Sequence, residues 1–478
     1  MPEQQAWRTR RAILLIFLVG LALRLLVYAY IAHVPGKFFT FDSDEYDQRA
    51  LNLLHYHVFA GEAHPPFTAD LLRTPIYPLV LAVVYALAGH TISAAILAQL
   101  VLGSLTGVLT FVLATRELDL PRGAGVLAGL VVAVDPVSVM TSNQLLTETL
   151  FTLLSVTGAI ALVRYWRTHA LRWVILAAVV LALAALTRPI GQYLPLALLP
   201  LFPLAARRGY RRGALGAGLL FVAVSWSLIG AWAYRNYHAT GVFTVSNISD
   251  TNLIYYRARE VVADARHISQ DAAWTQLETS IDATVTRQHL TMARKLGLQR
   301  QEAFAIFRRY PRETVLMTLK GAGRLLADPG YSISCTLLDR HSAALHCFQG
   351  SQANMDEPGA AHMAVSGLKR MTPVQQGTLL GSALLLLAVY VCAFVGAVQL
   401  VRRRHWLALT LLLVILAYFM GVSTGGETTS RFRIAILPFL AIFAGVGGEY
   451  LQARRVVGQA TTAGARLRRV TMVGDMAR

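Results

Sequence analysis

Cysteine is scarce in this chain: Cys335, Cys347 and Cys392 are the three among 478 residues. Three thiols exclude a disulfide scaffold. Cys335 and Cys347 share one polar segment and are free either to pair in an oxidising compartment or to stay reduced. Charge is also sparse, at 15% of residues, and acidic charge is the scarcer sign, with 26 Asp+Glu against 44 Lys+Arg. No Walker loop, HExxH motif or CxxC pair occurs, and the GxSxG match at Gly421–Gly425 lies at the end of an apolar run. The absence of the first two argues against nucleotide-driven transport and zinc proteolysis. There are no internal repeats and no low-complexity linkers.

Apolar residues are abundant instead. At 55% hydrophobic and a mean hydropathy of +0.49, the composition is that of an all-α polytopic membrane protein. The net charge of +18 raises the question of nucleic acid. The basic residues, however, fall in short clusters between apolar runs (Arg8/Arg10/Arg11, Arg164/Arg167/Arg172, Arg211/Arg212, Arg402/Arg403/Arg404). That is the positive-inside pattern of membrane topology, so a nucleic-acid partner is set aside.

Apolar runs of spanning length occur near 12–33, 92–115, 123–142, 146–166, 172–190, 192–206, 214–234, 377–401, 405–424 and 432–451. Placing every basic cluster on the cytoplasmic side orients each run and predicts about ten transmembrane helices with both termini cytoplasmic. Pro75–Gly89 is too short to cross and would invert every later cluster, so it is expected to lie in the outer leaflet as a juxtamembrane helix. The expected division is a membrane module over 1–240 with an outer loop at 35–90, then a modest non-cytoplasmic helical and loop segment at 241–373. C-terminal membrane helices at 374–455 and a basic cytoplasmic tail at 456–478 complete it. Within the outer segment, Gln301–Leu326 has a helical pattern broken at Pro311, and Asp328–Gly367 has loop composition.

Carboxylates are costly beside a bilayer, so their positions are informative. Phe41–Asp47 reads FDSDEYD just after the first apolar run and holds Asp42, Asp44, Glu45 and Asp47. A capping role for Asp42 or Ser43, at the start of a helix over Glu45–Leu54, would account for one acid but not four. Asp135, Glu148 and Glu427 map to the outer ends of expected spans, where they could share one cavity with Asp42. Asp135-Pro136 also fits a simple kink, and Glu148 fits a helix N-terminus favoured by the dipole. The basic residues at the same ends are Arg73, Arg188, Arg235, Arg431 and Arg433. Such residues suit a phosphate leaving group, whose developing charge needs stabilising in a dry site. For Arg188 and Arg235 the alternative is snorkelling to headgroups. His55 and His57 lack a third ligand partner for a metal.

Several of these segments together resemble a known family. They are Asp42-x-x-x-Tyr46-x-x-x-Ala50, Arg73-Thr-Pro-Ile-Tyr77-Pro, Leu146-Thr-Glu148-Thr-Leu, Leu186-Thr-Arg188-Pro189, Tyr234-Arg235-Asn-Tyr237 and Ser430-Arg431-Phe-Arg433-Ile-Ala-Ile-Leu-Pro438. In this order they resemble the GT-C-fold polyprenyl-phosphate-sugar glycosyltransferases, in the group of the protein O-mannosyltransferases and the lipid A aminoarabinose transferase. The resemblance implies transfer of a sugar from a polyprenyl-phosphate donor to a glycan, lipid or protein acceptor on the periplasmic face of a bacterial inner membrane. It implies Asp42 as catalytic base and Glu148 as second acid. Arg73, Arg188, Arg431 and Arg433 would hold the donor phosphate. Asp44, Glu45, Tyr46, Tyr77, Glu427 and Arg235 are supporting candidates. A divalent cation (Mg or Mn) is an option, held by Glu148, but phosphate leaves well without one. The competing classes are a secondary transporter or lipid flippase, which would place charges at the bilayer midplane and repeat the fold in two halves, and a structural subunit of an envelope complex.

Overall fold

A computed structural model describes residues 2–40, 42–206, 208–339 and 371–455. Cys347, most of the loop expected after Asp328, and the basic tail at 456–478 lie outside the described residues. The described chain is all helical, with a bundle of apolar helices and a polar helical segment at one end.

The expectation of about ten transmembrane helices is corrected. Six helices among the described residues are long and apolar enough to cross a membrane: Ala6–Ile31, Ile92–Glu117, Glu148–Thr168, Arg211–Thr240, Pro373–Arg402 and Trp406–Ser423. Four of the apolar runs are broken or short. The run near 123–142 is a helix Arg122–Val134 that stops at Asp135, followed by the short helix Pro136–Thr141. The run near 172–190 yields only the 15-residue helix Leu171–Ala185, about 22 Å long against a hydrocarbon core of about 30 Å. The run near 192–206 becomes Leu194–Leu198 and Leu201–Ala205, because Pro200 between them cannot continue a helix. The last opens with a 3-10 turn, Ser430–Ala435, before a helix over 437–455. Apolarity counts residues; it does not register where proline and aspartate break the backbone ladder. Pro75–Gly89 holds the 13-residue helix Ile76–Ala88.

The helices approach closely where small residues face each other, as in other membrane bundles. A Cβ on Gly396 would collide with the Phe443 carbonyl, and one on Gly447 with the Cys392 carbonyl. That pair sets the crossing of Pro373–Arg402 over the helix at 437–455, and so anchors the chain just after the 3-10 turn.

The polar segment contains Arg259–Arg266, Gln270–Gln288, Met292–Arg309, Pro311–Ala327 and Tyr331–Leu338, preceded by a π-helical turn Leu253–Ala258. Ion pairs tie it together and to the bundle: Arg300 with Asp250, Lys320–Asp264 (3.0 Å), Arg324–Glu260 (2.8 Å) and Arg257–Glu427 (2.6 Å).

Candidate active site

Asp42 immediately precedes the helix Ser43–Tyr56, yet its side chain makes no capping hydrogen bond. The capping alternative therefore does not account for it. Ser43 instead donates to the Leu145 carbonyl (3.0 Å), and Leu145 N–H to the Phe38 carbonyl (3.0 Å). These bonds hold the start of this helix beside the segment that leads into Glu148.

The freed Asp42 carboxylate is taken by two arginines from distant parts of the chain. Arg73 Nη2 donates to Oδ1 at 2.7 Å, and Arg431 Nη2 to Oδ2 at 2.8 Å. Arg73 also donates through Nε to Glu45 Oε2 (2.5 Å) and through Nη1 to the Tyr46 hydroxyl (3.1 Å). Its guanidinium carbon lies 4.8 Å from the centre of the Tyr46 ring. Tyr77 meets that ring edge-on and donates to Gln99 Oε1. Beneath Asp42, the buried Glu148 has Oε1 2.6 Å from Arg188 Nη1 and 3.6 Å from Arg431 Nε. The Phe432 ring centre lies 5.4 Å from the Arg188 guanidinium and 5.6 Å from that of Arg431. Three carboxylates and three guanidiniums thus form one charge-balanced cluster.

Local folding fixes each arginine. Arg49 grips Asp70 with two bonds (2.7 and 2.9 Å), and Asp70 in turn accepts the backbone N–H groups of Leu72 and Arg73. Thr74 donates to the Thr187 carbonyl and Ile76 N–H to the Leu186 carbonyl, which registers Arg73 against Arg188. Arg235 braces the same loop by donating to the Asp70 and Phe59 carbonyls, with its guanidinium over the Trp232 and Phe59 rings.

Burial alone would raise the Asp42 carboxyl, but the guanidiniums of Arg431 and Arg73 outweigh it and hold it well below the usual carboxylate range. The same ion pairing pushes both arginines up, against the opposing effect of burial.

The other candidates lie elsewhere. Asp44 is exposed in the first turn of its helix. Glu427 is bonded to Arg257. Arg433, two residues from Arg431, faces away and donates to the Leu325 and Asp328 carbonyls (3.0 and 2.8 Å). Asp47 accepts from Tyr85 (2.5 Å) and contacts His90. Asp135 caps the short helix Pro136–Thr141 by accepting from Ser138 N–H (2.7 Å). Two residues were missed. Arg24 is fully buried in the first long helix, bonded to the Gly20 and Ala133 carbonyls and to Ser138; an arginine within an apolar run was the signal for it. Tyr256 on the π-helical turn lies close enough to feel the charges of Asp42, Arg431 and Arg73, and nothing in its sequence surroundings marks it.

The carboxylates here do not fit a divalent cation. Both Asp42 oxygens and Glu148 Oε1 already face guanidiniums, which a cation would oppose. Among the described residues no group of three or more His, Cys, Asp or Glu side chains is arranged to hold a metal.

Comparison with known proteins bears on the fold around this site. Residues 72–232, about a third of the chain, match the family model described as dolichyl-phosphate-mannose-protein mannosyltransferase. The crystal structure of the Archaeoglobus fulgidus oligosaccharyltransferase with a tethered acceptor peptide aligns over 95% of this chain and 51% of its own, at 14% identity and a TM-score of 0.51. The same organism's oligosaccharyltransferase AglB, in complex with an inhibitory peptide and a dolichol-phosphate, gives 14% identity, 95% and 52% coverage and a TM-score of 0.51. The chain has the GT-C fold. ArnT from Cupriavidus metallidurans shows a looser likeness, at 15% identity, 90% and 76% coverage and a TM-score of 0.40. The chain spans about half the length of the archaeal proteins. No curated protein sequence matches.

Proposed function

We propose that this protein is a membrane glycosyltransferase that moves a sugar from a polyprenyl-phosphate donor to an acceptor on the periplasmic face of a bacterial inner membrane. The single observation that carries the reading is the pairing of one uncapped aspartate, Asp42, with two arginines that clamp its two oxygens. An acid and guanidiniums in one pocket are what a displacement at a sugar carbon with a phosphate leaving group requires. The family match over residues 72–232 supports the donor class.

On this reading the resting ion pairs are exchanged during the reaction. The donor phosphodiester takes Arg73 and Arg431, offering its two non-bridging oxygens to the guanidinium forks, and the monoester that forms as the sugar is transferred carries the greater charge that they stabilise. Asp42 is thereby released from the cations that suppress its basicity. It accepts the proton of an acceptor hydroxyl (or amine) as that atom bonds to the anomeric carbon, while the bond from that carbon to the phosphate oxygen breaks. Polyprenyl phosphate leaves with the electron pair, its charge held by Arg73 and Arg431. A single displacement inverts the anomeric centre. Glu148 and Arg188 hold Arg431 in place from below. Arg235 and Arg49 act through the loop that carries Arg73.

The test is binding of undecaprenyl phosphate to the purified full chain in lipid nanodiscs. Wild type binds it, and Arg73→Gln and Arg431→Gln each weaken binding by about tenfold or more, the value of a charge-assisted hydrogen bond to phosphate. Unchanged affinity in both variants would remove the phosphate from this pocket and the reading with it.

A further inference from the structure

The polar segment reaches into the site at one place. Gly425 and Gly426, at the entrance to the turn that carries Arg431, are pressed between two of its elements. A Cβ on Gly321 would lie 2.6 Å from Gly425 N, and a Cβ on Gly426 would collide with the Tyr256 carbonyl. Two ion pairs lock this packing. Arg257 bonds Glu427 (2.6 Å) and the Val422 carbonyl (3.0 Å), while Arg324 bonds Glu260 (2.8 Å) and the Gly426 carbonyl (3.4 Å). The π-helical turn Leu253–Ala258 is therefore held against Gly426 and Glu427, and such turns recur at functional sites.

Two side chains on this clamped turn and the helix after it have spare capacity. Tyr256 lies within electrostatic reach of Asp42, Arg431 and Arg73, yet its hydroxyl has no hydrogen-bond partner among the described residues. Burial pushes its phenol up, so the hydroxyl remains a donor. Tyr46 and Tyr77, by contrast, have their hydroxyls engaged. Arg259 stands with its guanidinium 5.3 Å from the Tyr256 ring centre and 5.4 Å from that of Trp274. No carboxylate among the described residues comes within ion-pairing distance of it, and its Nε is buried with no hydrogen-bond partner. The neighbouring Arg257, Arg300, Lys320 and Arg324 are all neutralised. A half-buried cation held over two ring faces, with Glu260 and Asp271 near but not bonded to it and a free phenol beside it, can take an anion.

We propose that Arg259 and Tyr256 form a second anion-recognising subsite, distinct from the Arg73–Arg431 grip, which takes a phosphate or carboxylate group of the acceptor. It rests on the glycosyltransferase reading and specifies its acceptor as an anionic molecule: the donor's phosphate is accounted for by Arg73 and Arg431, so the cation 5.3 Å from the Tyr256 ring centre is left to the other substrate. The acceptor would lie with its anionic group against Arg259, its orientation fixed by the Tyr256 hydroxyl, and its nucleophile towards Asp42.

The experiment uses the full chain in nanodiscs saturated with undecaprenyl phosphate, titrated calorimetrically with glycerol phosphate and, separately, with glucuronate. Wild type is expected to bind one equivalent of at least one probe, and which probe binds separates a phosphate from a carboxylate preference. Arg259→Gln is expected to weaken that binding about tenfold, and Tyr256→Phe several-fold, the scale of a charge-assisted and a neutral hydrogen bond. Both variants should hold undecaprenyl phosphate within about twofold of wild type, and Tyr256→Phe, which removes one oxygen atom, guards against misfolding of the arginine variant. Probe binding unaffected by either substitution would overturn the proposal, as would binding of neither probe to wild type. Loss of undecaprenyl phosphate affinity in Arg259→Gln would also overturn it, since Arg259 would then belong to the donor grip. Failure of wild type to bind undecaprenyl phosphate at all is a separate result and counts against the glycosyltransferase reading itself.

Discussion

Arg431 and Arg433 stand two residues apart on one 3-10 turn, yet they enter clusters of opposite character. Arg431 joins Asp42, Glu45, Glu148, Arg73 and Arg188, whose outer members keep access to solvent: the side chains of Arg431, Asp42 and Glu45 are 30%, 21% and 27% exposed. Arg433 and Arg24, at 2% and 0% exposure, flank the buried Asp135 and donate to backbone carbonyls at helix ends. A guanidinium bonded to a carboxylate that keeps access to solvent can exchange that partner for a phosphate. One committed to carbonyls in a sealed interior has nothing to exchange, and its role is to hold helices in register. On the proposed reading, charges of the same kind serve chemistry in one cluster and architecture in the other, and access decides which.

Several substitutions sharpen or break this contrast. The largest effect is expected for Asp42→Asn, which keeps shape but removes the proposed base. Turnover should fall by about 10²- to 10⁴-fold, the usual worth of a general base, while undecaprenyl phosphate affinity holds or rises because two guanidiniums lose a competitor. Transfer rate and binding measured on one preparation check both halves.

In the sealed cluster, Asp135→Ala leaves two buried cations without their counter-charge. It is expected to cost about 3–5 kcal/mol of stability, seen as a lowered melting temperature and poor yield, and Arg433→Gln should act the same way with donor binding preserved. If Arg433→Gln lost donor affinity at unchanged stability, the two clusters would not differ as described.

A smaller effect is expected for Arg73→Lys, which keeps the charge but not the fork. Undecaprenyl phosphate binding should weaken about three- to tenfold, read by the same titration.

The smallest effect is one of pH. The Asp42 carboxyl is held below its ordinary value in the free enzyme, so the group is already ionised over the whole acid-to-neutral range. Lowering pH from about 7 to 5 should therefore leave kcat/KM free of an acid limb due to Asp42, since kcat/KM reports the free enzyme. Once donor phosphate draws Arg73 and Arg431 away, the carboxyl rises, and any acid limb should appear first in kcat. An acid limb in kcat/KM that Asp42→Asn abolishes would mean that the arginines do not clamp the free carboxylate.

Much of the site could be read from residue positions alone, because carboxylates and arginines at the ends of apolar runs are few and costly. Asp42, Glu45, Glu148, Arg73, Arg188 and Arg431 were singled out on that ground, and the structure brings them within contact of one another. The helix count was not legible in the same way. Hydropathy gave 123–142 and 192–206 the weight of spans, whereas Asp135-Pro136 and Pro200 divide them. Nor could residue type show that Arg431 and Arg433 point apart, since the direction of a side chain on a 3-10 turn depends on what packs around it. Glu427 was grouped with the site because it ends a span, but its partner Arg257 comes from the polar segment, far off in sequence. Tyr256 had no local mark, and its place follows from the close approach at Gly425 and Gly426.

The central claim is that Asp42 is the base of a sugar transfer from polyprenyl phosphate. It is tested most directly by incubating the purified protein in lipid with radiolabelled polyprenyl-phosphate monosaccharides and an envelope extract as acceptor source, and following release of free polyprenyl phosphate. The expected result is release by wild type with at least one donor and none above background by Asp42→Asn. Equal release by both proteins, or none by wild type with any donor, would contradict it.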